Sequence, residues 1–453
     1  MMTAGRKNPR IKWLLLLIPV CLAAIWLAVR PGAEAGTALA NAFFAVPGQE
    51  TTAENVLVID RDSGRALYEK NATERLYPAS TTKLMTALCA VEAVRDLDKT
   101  TVTVRQEVLD QLAGSNSSMA GLVAGEELTM EQLLYSLMLP SGNDAALVIA
   151  DYVGGGESGF VQLMNRKAAA LGCMDTYFVN SHGLAGREQY STAWDLARIA
   201  EAYLQVPDLA KIAGTREYSF TSNMRGKVTM ENSNRLLDPE SELYEPSATG
   251  VKTGTTSLGA SFISAGERDG LRVLCVTAGV PATTADGYLI SPNPALAEGR
   301  KFLSWACGQF EKVTLYKGGK IPVTVEGKKR YAVTVPDGPV TAVVPRELAG
   351  ELTEQVTVTE DLSGPLSAGT AVGAVTWCWN GTPVGEGLPL LLAGGLPPAP
   401  VWLWPTMGAV LAALLALLAA ALKRRRVRER TDPWADGPEW IKEEPPEDPD
   451  WYA

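Results

Sequence analysis

Histidine is almost missing from this 453-residue chain, which contains one, His182. A metal centre built from several histidines is therefore excluded. Cysteine is sparse, six residues with no C-x-x-C pair, and that argues against structural zinc. Cys89, Cys173, Cys275, Cys307 and Cys378 read as small buried apolar residues, with a disulfide open but unsupported. Cys21 falls in a segment expected to be removed. Net positive charge is lacking too. The formal charge of −10 gives no global attraction to nucleic acid, and none is expected as a partner. No repeat long enough for a solenoid is present. No G-x-S-x-G elbow accompanies the lone histidine, so a Ser-His-Asp hydrolase is disfavoured.

Long apolar runs, by contrast, are present at both ends. "RKNPRIKWLLLLIPVCLAAIWLAV", from Arg6, puts basic residues before an apolar stretch, with Ala33-Glu34-Ala35 behind it. This is the organisation of a signal peptide over residues 1–35, with an uncleaved anchor as the alternative. "VWLWPTMGAVLAALLALLAAALKRRRVRER", from Val401, holds about 22 apolar residues, enough for one bilayer crossing at 401–422. Trp402 and Trp404 stand at its start as interfacial aromatics, and Lys423, Arg424, Arg425, Arg426 and Arg428 follow. Positive residues stay on the cytoplasmic side, so the chain before Val401 is expected outside the cytoplasmic membrane. The rest of the 423–453 tail is acidic and proline-rich, a composition that favours disorder.

Between these segments, residues 51–310 mix strands and helices. "NVLVID" and "RALYEK" read as strands joined at Asp62-Ser63-Gly64. Helices are expected over 82–94, 130–139, 145–152, 159–170 and 193–203, and strands return at 250–254, 260–265 and 273–278. Strands at both ends with helices between them predict one α/β (mixed) domain whose sheet is completed by distant parts of the chain. Residues 311–396 differ. "KIPVTVEGKKRYAVTV" alternates apolar and polar residues about a Glu326-Gly327 turn, and helical periodicity is absent, which predicts a small β-rich domain.

Three short motifs carry chemistry. In "PASTTKLMTA", Ser80 and Lys83 are three residues apart at a helix start marked by Pro78, so they share a face. A serine is a weak nucleophile without a base. A neutral amine can be that base, and burial or a neighbouring cation produces one. Taken alone, the pair is as readily an N-cap serine with a surface lysine. "LPSGNDAA" adds Ser141 and Asn143 in a turn before a helix. "GVKTGTTS" adds Lys252, Thr253 and Gly254 on a strand, with the glycine admitting close approach to the backbone. S-x-x-K, S-x-N and K-T-G in this order, about 60 and about 110 residues apart, form a far more specific signal than any one of them.

Over about residues 54–310 the chain resembles the low-molecular-mass penicillin-binding proteins, the serine-type D-alanyl-D-alanine carboxypeptidases. "IDRDSGRALYEKNATERLYPASTTKLMTAL", "LLYSLMLPSGNDAALVIADYVGG", "FVQLMNRKAAALGCMDTYFVNSHGL", "YSTAWDLARIA" and "NSNRLL" extend the likeness beyond the triplet. The segment after Lys312 resembles the family's C-terminal domain more loosely. The resemblance implies a penicillin-binding, β-lactamase-like transpeptidase domain with an antiparallel sheet flanked by helices, and neither cofactor nor metal. It implies that Ser80 attacks the penultimate D-alanine carbonyl of a peptidoglycan stem peptide ending in D-Ala-D-Ala, and that Lys83 takes the proton. Ser141 and Asn143 would complete the proton network. The backbone N–H groups of Ser80 and Thr255 would form the oxyanion hole, while Lys252 and Thr253 bind the terminal carboxylate beside Gly254. β-Lactam antibiotics would act as covalent inhibitors. Two features depart from the pattern. Thr255 stands where several members have histidine after K-T-G. The segment from Val401 is apolar all round, where many members use an amphipathic helix.

Two rivals stay open at this stage. A β-lactamase needs a deacylating base between the second and third motifs, and no clear candidate is found there. An inactive cell-wall-binding homologue would not need Ser80, Lys83 and Lys252 intact. Asp144 and Asp195 are read as helix caps, Glu69 and Glu74 as exposed, and His182 as structural support. Asn232 and Asn234 are read as either cleft-lining or packing residues.

Overall fold

The computed structural model describes residues 50–184, 188–317, 319–325, 329–334, 340–358, 366–379, 381–383, 387–395 and 403–430. The signal segment, Trp402, the Glu326-Gly327 turn and the acidic tail lie outside the described residues. By internal packing the chain divides into two units. The first comprises residues 1–317, 338–354 and 377–386, and the second comprises 318–337, 355–376 and 387–453.

The first unit opens with β1 (Asn55–Asp60) and β2 (Ala66–Lys70), then α1 (Lys83–Ala93). A short pair, β3 (Thr101–Thr103) and β4 (Glu127–Thr129), brackets α2 (Gln106–Leu109). Helices α3 (Met130–Met138), α4 (Asn143–Gly154), α5 (Glu157–Ala170), α6 (Ala193–Leu204) and α7 (Pro207–Gly214) follow. A hairpin, β5 (Glu217–Ser222) and β6 (Gly226–Glu231), leads to β7 (Ala248–Thr256), β8 (Gly259–Arg268) and β9 (Leu271–Val280), and then to α8 (Ala295–Gln309). The main sheet is antiparallel with strand order β2-β1-β9-β8-β7. Its first strand, β1, therefore pairs with its last, β9, Asn55 opposite Ala278 and Asp60 opposite Val273, so distant parts of the chain complete one sheet, as strands at both ends of the domain implied.

Strand periodicity explains the layering, because successive side chains point to opposite faces. Leu57, Ile59, Ile263, Leu274 and Val276 face the helical layer around α1. Val56, Val58, Phe262 and Cys275 face the other way, onto Phe302, Leu303 and Phe310 from α8 and the strand after it. Every residue from Lys83 to Ala90 is buried, so α1 is the central helix rather than an amphipathic surface one. A lysine at its first position is thereby carried into the interior. Helix α3 begins with a full capping box, Thr129 and Gln132 exchanging side-chain-to-backbone bonds. Helix α4 starts at Asn143, two residues before the expected Ala145, so its first turn belongs to the S-x-N motif. Helices α7 and α8 and the β5–β6 hairpin were not anticipated. The five cysteines in the described residues are buried and form no disulfide with one another, and burial pushes the Cys89 and Cys173 thiols up to about 12.

Beyond α8, β10 (Phe310–Tyr316) pairs with a later strand, Val340–Pro345, in the first unit. In the second unit, β11 (Ile321–Val325) and β12 (Lys329–Thr334) form an antiparallel hairpin, and β12 pairs with Leu388–Leu392. The second unit also contains a 28-residue helix, α9 (Leu403–Arg430). Its Met407–Arg426 stretch is long and apolar enough to cross a bilayer.

Candidate active site

Ser80 lies in a 3-10 turn, Ala79–Thr82, that runs directly into α1. Pro78 stands before the turn, and its carbonyl accepts from Thr81 N (3.1 Å) and Thr81 Oγ1 (2.6 Å). Ala79 takes a positive φ of 51° and is buried, a conformation costly for a residue with a Cβ. The turn thus presents the hydroxyl at the mouth of the helix, one turn above the lysine.

Lys83 is completely buried. Its Nζ lies 3.0 Å from Ser80 Oγ, 2.6 Å from Asn143 Oδ1 and 2.7 Å from the His182 carbonyl oxygen. Among the described residues no carboxylate lies within hydrogen-bond or ion-pair distance of it. The nearby Asp144 carboxylate accepts from the backbone N–H groups of Ala120, Leu122 and Ala145 instead. Burial holds the Lys83 pKa well below its ordinary value, the charge of Lys252 lowers it further, and only Asp144 opposes them. A neutral amine has two protons and one lone pair. Asn143 Oδ1 and the His182 carbonyl take the protons, and the lone pair is left facing Ser80 Oγ, as a base requires.

The site's other wall is β7. Lys252 is buried there, and Nζ donates to one acceptor, the Thr253 carbonyl, at 3.1 Å. Burial lowers its pKa to about 7. Thr253 Oγ1 is 2.8 Å from Ser233 Oγ. Gly254 passes close to the nucleophile's turn. A Cβ there would stand 3.1 Å from Ser80 N and 3.1 Å from the Pro78 carbonyl oxygen, so only glycine fits without displacing backbone. Between the walls is a cleft of about 790 Å³, lined by Ser80, Ser141, Ser233, Thr253, Gly254 and Thr255 among others. Ser141 adopts φ 65°, and its buried Oγ has no hydrogen-bond partner among the described residues. A buried hydroxyl left unpaired beside a nucleophile is a place for a substrate group or a proton in transit. Ser80, Ser141, Thr253, Gly254 and Thr255 of the three motifs line this cleft, Lys83 and Asn143 are buried behind Ser80, and Lys252 is buried next to Thr253.

Several readings need correction. Asp144 does not act mainly as a cap, because its carboxylate clamps the 120–122 segment. Thr192 caps α6, leaving Asp195 free to accept from Asp175 N and Thr176 Oγ1. Glu74 is exposed, but Glu69 is half-buried because it sits on β2 opposite Leu57. Asn232 and Asn234 brace a loop. Asn232 donates to the Ala213 and Thr215 carbonyls, and Asn234 Oδ1 accepts from Leu236 N. Their neighbour Ser233 is the cleft residue, unseen in the sequence though its motif was noted. His182 contributes its backbone carbonyl, while burial and then the charge of Lys83 push its imidazole down to about 4. Glu157 and Thr86 seat that carbonyl. Glu157 Oε1 accepts from Ser181 N (2.6 Å) and Ser181 Oγ (2.9 Å), and Thr86 Oγ1 donates to the Ser181 carbonyl (2.5 Å). Neither residue, nor Asn293 beside Thr255, carries a local sequence signal.

A buried lysine beside a serine hydroxyl, across an open cleft from a strand with a second buried lysine, is an arrangement able to support nucleophilic acyl transfer. Comparison with known proteins gives the family. Residues 42–282 match the peptidase S11 model, described as D-alanyl-D-alanine carboxypeptidase, and the chain belongs to that family. Residues 310–397 match the penicillin-binding protein 5 C-terminal domain. The chain is 30% identical to the D-alanyl-D-alanine carboxypeptidase DacF of Bacillus subtilis over 76% of this chain and 88% of the relative. With DacC of Escherichia coli the identity is 32%, over 74% and 82% of the two chains. The crystal structure of penicillin binding protein 5 from Haemophilus influenzae superposes with a TM-score of 0.62 at 25% identity, covering 78% of this chain and all of that one (100%). The fold is that of these penicillin-binding proteins, a mixed α/β domain followed by a β domain, with one apolar helix near the C-terminus.

Proposed function

We propose that this chain is a serine-type D-alanyl-D-alanine carboxypeptidase that trims peptidoglycan stem pentapeptides through an acyl-enzyme on Ser80. The observation that carries this reading is the Lys83 amine, buried with no carboxylate partner among the described residues and 3.0 Å from Ser80 Oγ. Lys83 accepts the Ser80 proton as Oγ attacks the carbonyl of the penultimate D-alanine. Charge developing on that carbonyl oxygen meets the backbone N–H groups of Ser80 and Thr255. The orphan hydroxyl of Ser141, with Lys83, returns a proton to the departing D-alanine nitrogen, and Asn143 holds the amine in register. Lys252 and Thr253 receive the terminal carboxylate beside Gly254, and that negative charge favours the protonated form of Lys252. Water then hydrolyses the ester. A β-lactam presents a similar carboxylate and a strained amide, so it acylates Ser80 and keeps its leaving group tethered.

Residues 51–310 form the catalytic domain in this reading, and residues 311–396 a β-rich spacer. Residues 1–35 serve as the signal segment. The 401–422 span anchors the chain in the cytoplasmic membrane, with catalysis outside and residues 423–453 inside. The arginine-rich run after the span supports that orientation.

The test is labelling of the full chain with fluorescent penicillin, alongside D-alanine release from a peptide ending in D-Ala-D-Ala. Wild type should do both and Ser80→Ala neither. Equal labelling of Ser80→Ala would remove the assigned nucleophile.

A further inference from the structure

We propose that Asn293 is the positioning residue of the oxyanion hole: it holds the Gly254–Thr255 peptide so that the Thr255 N–H faces the cleft. The inference rests on the acyl-enzyme reading above.

Asn293 closes the loop between β9 and α8, in the sequence Ser291-Pro292-Asn293-Pro294. A proline on each side restricts the backbone here. Oδ1 of Asn293 accepts from Ala295 N at 2.8 Å, which fixes the side-chain orientation and sends the NH2 arm toward β7. Nδ2 lies 2.8 Å from the Gly254 carbonyl oxygen, 2.8 Å from Thr255 Oγ1 and 3.4 Å from the Ser261 carbonyl oxygen. Its two protons match the two short contacts.

A trans peptide points its C=O and N–H in opposite directions. Ser261 is the partner of Gly254 on β8, so Asn293 lies toward the paired side of β7. Holding the Gly254 carbonyl there turns the Thr255 N–H to the other side. That side is the outer edge of the sheet, because β7 is its last strand. Thr255 and Ser80 both line the cleft, and Gly254, next to Thr255, passes close enough to the nucleophile's turn that a Cβ on it would stand 3.1 Å from Ser80 N.

The sheet holds this peptide through β8 alone, Gly254 opposite Ser261 and Thr255 opposite Ala260. An edge strand is bonded from one side only. The next ladder inward, β8 with β9, shifts register between Ala260 and Phe262, opposite this end of β7. Asn293 adds a brace from outside the sheet, at the Gly254 carbonyl and Thr255 Oγ1. It also accounts for Thr255 standing where other members carry histidine: the threonine oxygen accepts from Asn293, so its own proton is available to the cleft.

The experiment uses the full chain in detergent and measures kcat and KM for D-alanine release from diacetyl-L-lysyl-D-alanyl-D-alanine. Asn293→Ala should lower kcat roughly 10- to 100-fold, short of the loss of a whole oxyanion donor, with KM changed less than about threefold. Asn293→Asp keeps the acceptor for Ala295 N but lacks the NH2 arm, so it should show the same loss even if the alanine variant folds poorly. The loss should persist in a Thr255→Val background, where no hydroxyl remains to orient. Unchanged kcat in folded variants would overturn the inference. So would a loss that disappears in Thr255→Val, which would put Asn293 to work on the hydroxyl alone. Wild type that neither labels with penicillin nor releases D-alanine would sink the acyl-enzyme reading and this inference with it.

Discussion

The two walls of the cleft each bury a lysine, and they hold it differently. On the helical wall, Lys83 has three partners within 3.0 Å and no unfilled direction. On the strand wall, Lys252 donates to one backbone carbonyl among the described residues, that of Thr253 at 3.1 Å, beside the cleft-lining Thr253 and Gly254. Burial lowers both pKa values, but Lys83 also feels the positive charge of Lys252. Burial and that charge together favour the neutral amine at Lys83, with only Asp144 opposing them. One dry amine is arranged as a base and the other as a receptor for an incoming anion. Burial alone does not fix a lysine's role, because the neighbours decide which protonation state is useful.

Lys83→Ala is the most damaging way to break that contrast. It removes the base, and penicillin acylation should fall by about 10³-fold or more. Lys83→Arg should be nearly as inactive, since a guanidinium keeps its proton. Rapid labelling of either variant would contradict the base assignment.

Lys252→Ala comes next, with a loss of about 30- to 1000-fold in kcat/KM expected from leaving a substrate carboxylate unpaired. It also sharpens the comparison through pH. The acid limb of kcat/KM reports Lys83 losing its proton, and the alkaline limb reports Lys252 losing its proton at about 7 in the free enzyme. Removing the positive neighbour raises the Lys83 pKa, so the acid limb should move to higher pH in Lys252→Ala. Lys252→Arg should leave the acid limb near its wild-type position and move the alkaline limb up. A pH–rate profile that is identical in all three proteins would separate the two lysines electrostatically and defeat the account.

Glu157→Gln is a smaller change. It weakens the seat of Ser181 and, through it, the carbonyl of His182 that Lys83 uses. Loss of a charged acceptor should cost about 1–3 kcal/mol of stability, read from the denaturation midpoint, with a few-fold fall in acylation. The smallest effect is expected far from the cleft. Lys167→Ala, which breaks an exposed pair with Glu92, should change stability by less than about 1 kcal/mol and leave acylation unchanged.

The comparison of walls also shows what the sequence could reveal. Ser80 and Lys83 were legible because helix geometry puts residues three apart on one face, and the apolar run after them announced burial. Lys252, Thr253 and Gly254 were legible as a strand motif, and the ordered triplet tied them to the first. That distant parts of the chain complete one sheet was legible from strands at both ends of the domain with helices between them, though the pairing of β1 with β9 was not. Residues that serve through contacts distant in the chain were silent. Glu157 acts on a segment 24 residues away, and Asn293 acts on Gly254 across 39. Nothing local distinguishes either from an ordinary polar residue. Asp144 and Asp195 looked like caps because both stand in the first turn of a helix. Tertiary packing instead gave each of them a loop to hold.

The most direct measurement is NMR titration of the Lys83 side chain in the full chain, with lysine labelled at Cε and the resonance assigned through Lys83→Arg. The account predicts a midpoint well below 10.5 that rises when Lys252 is replaced by alanine. A midpoint at the ordinary lysine value, unmoved by that replacement, would mean the amine is charged at neutral pH and cannot draw the proton from Ser80.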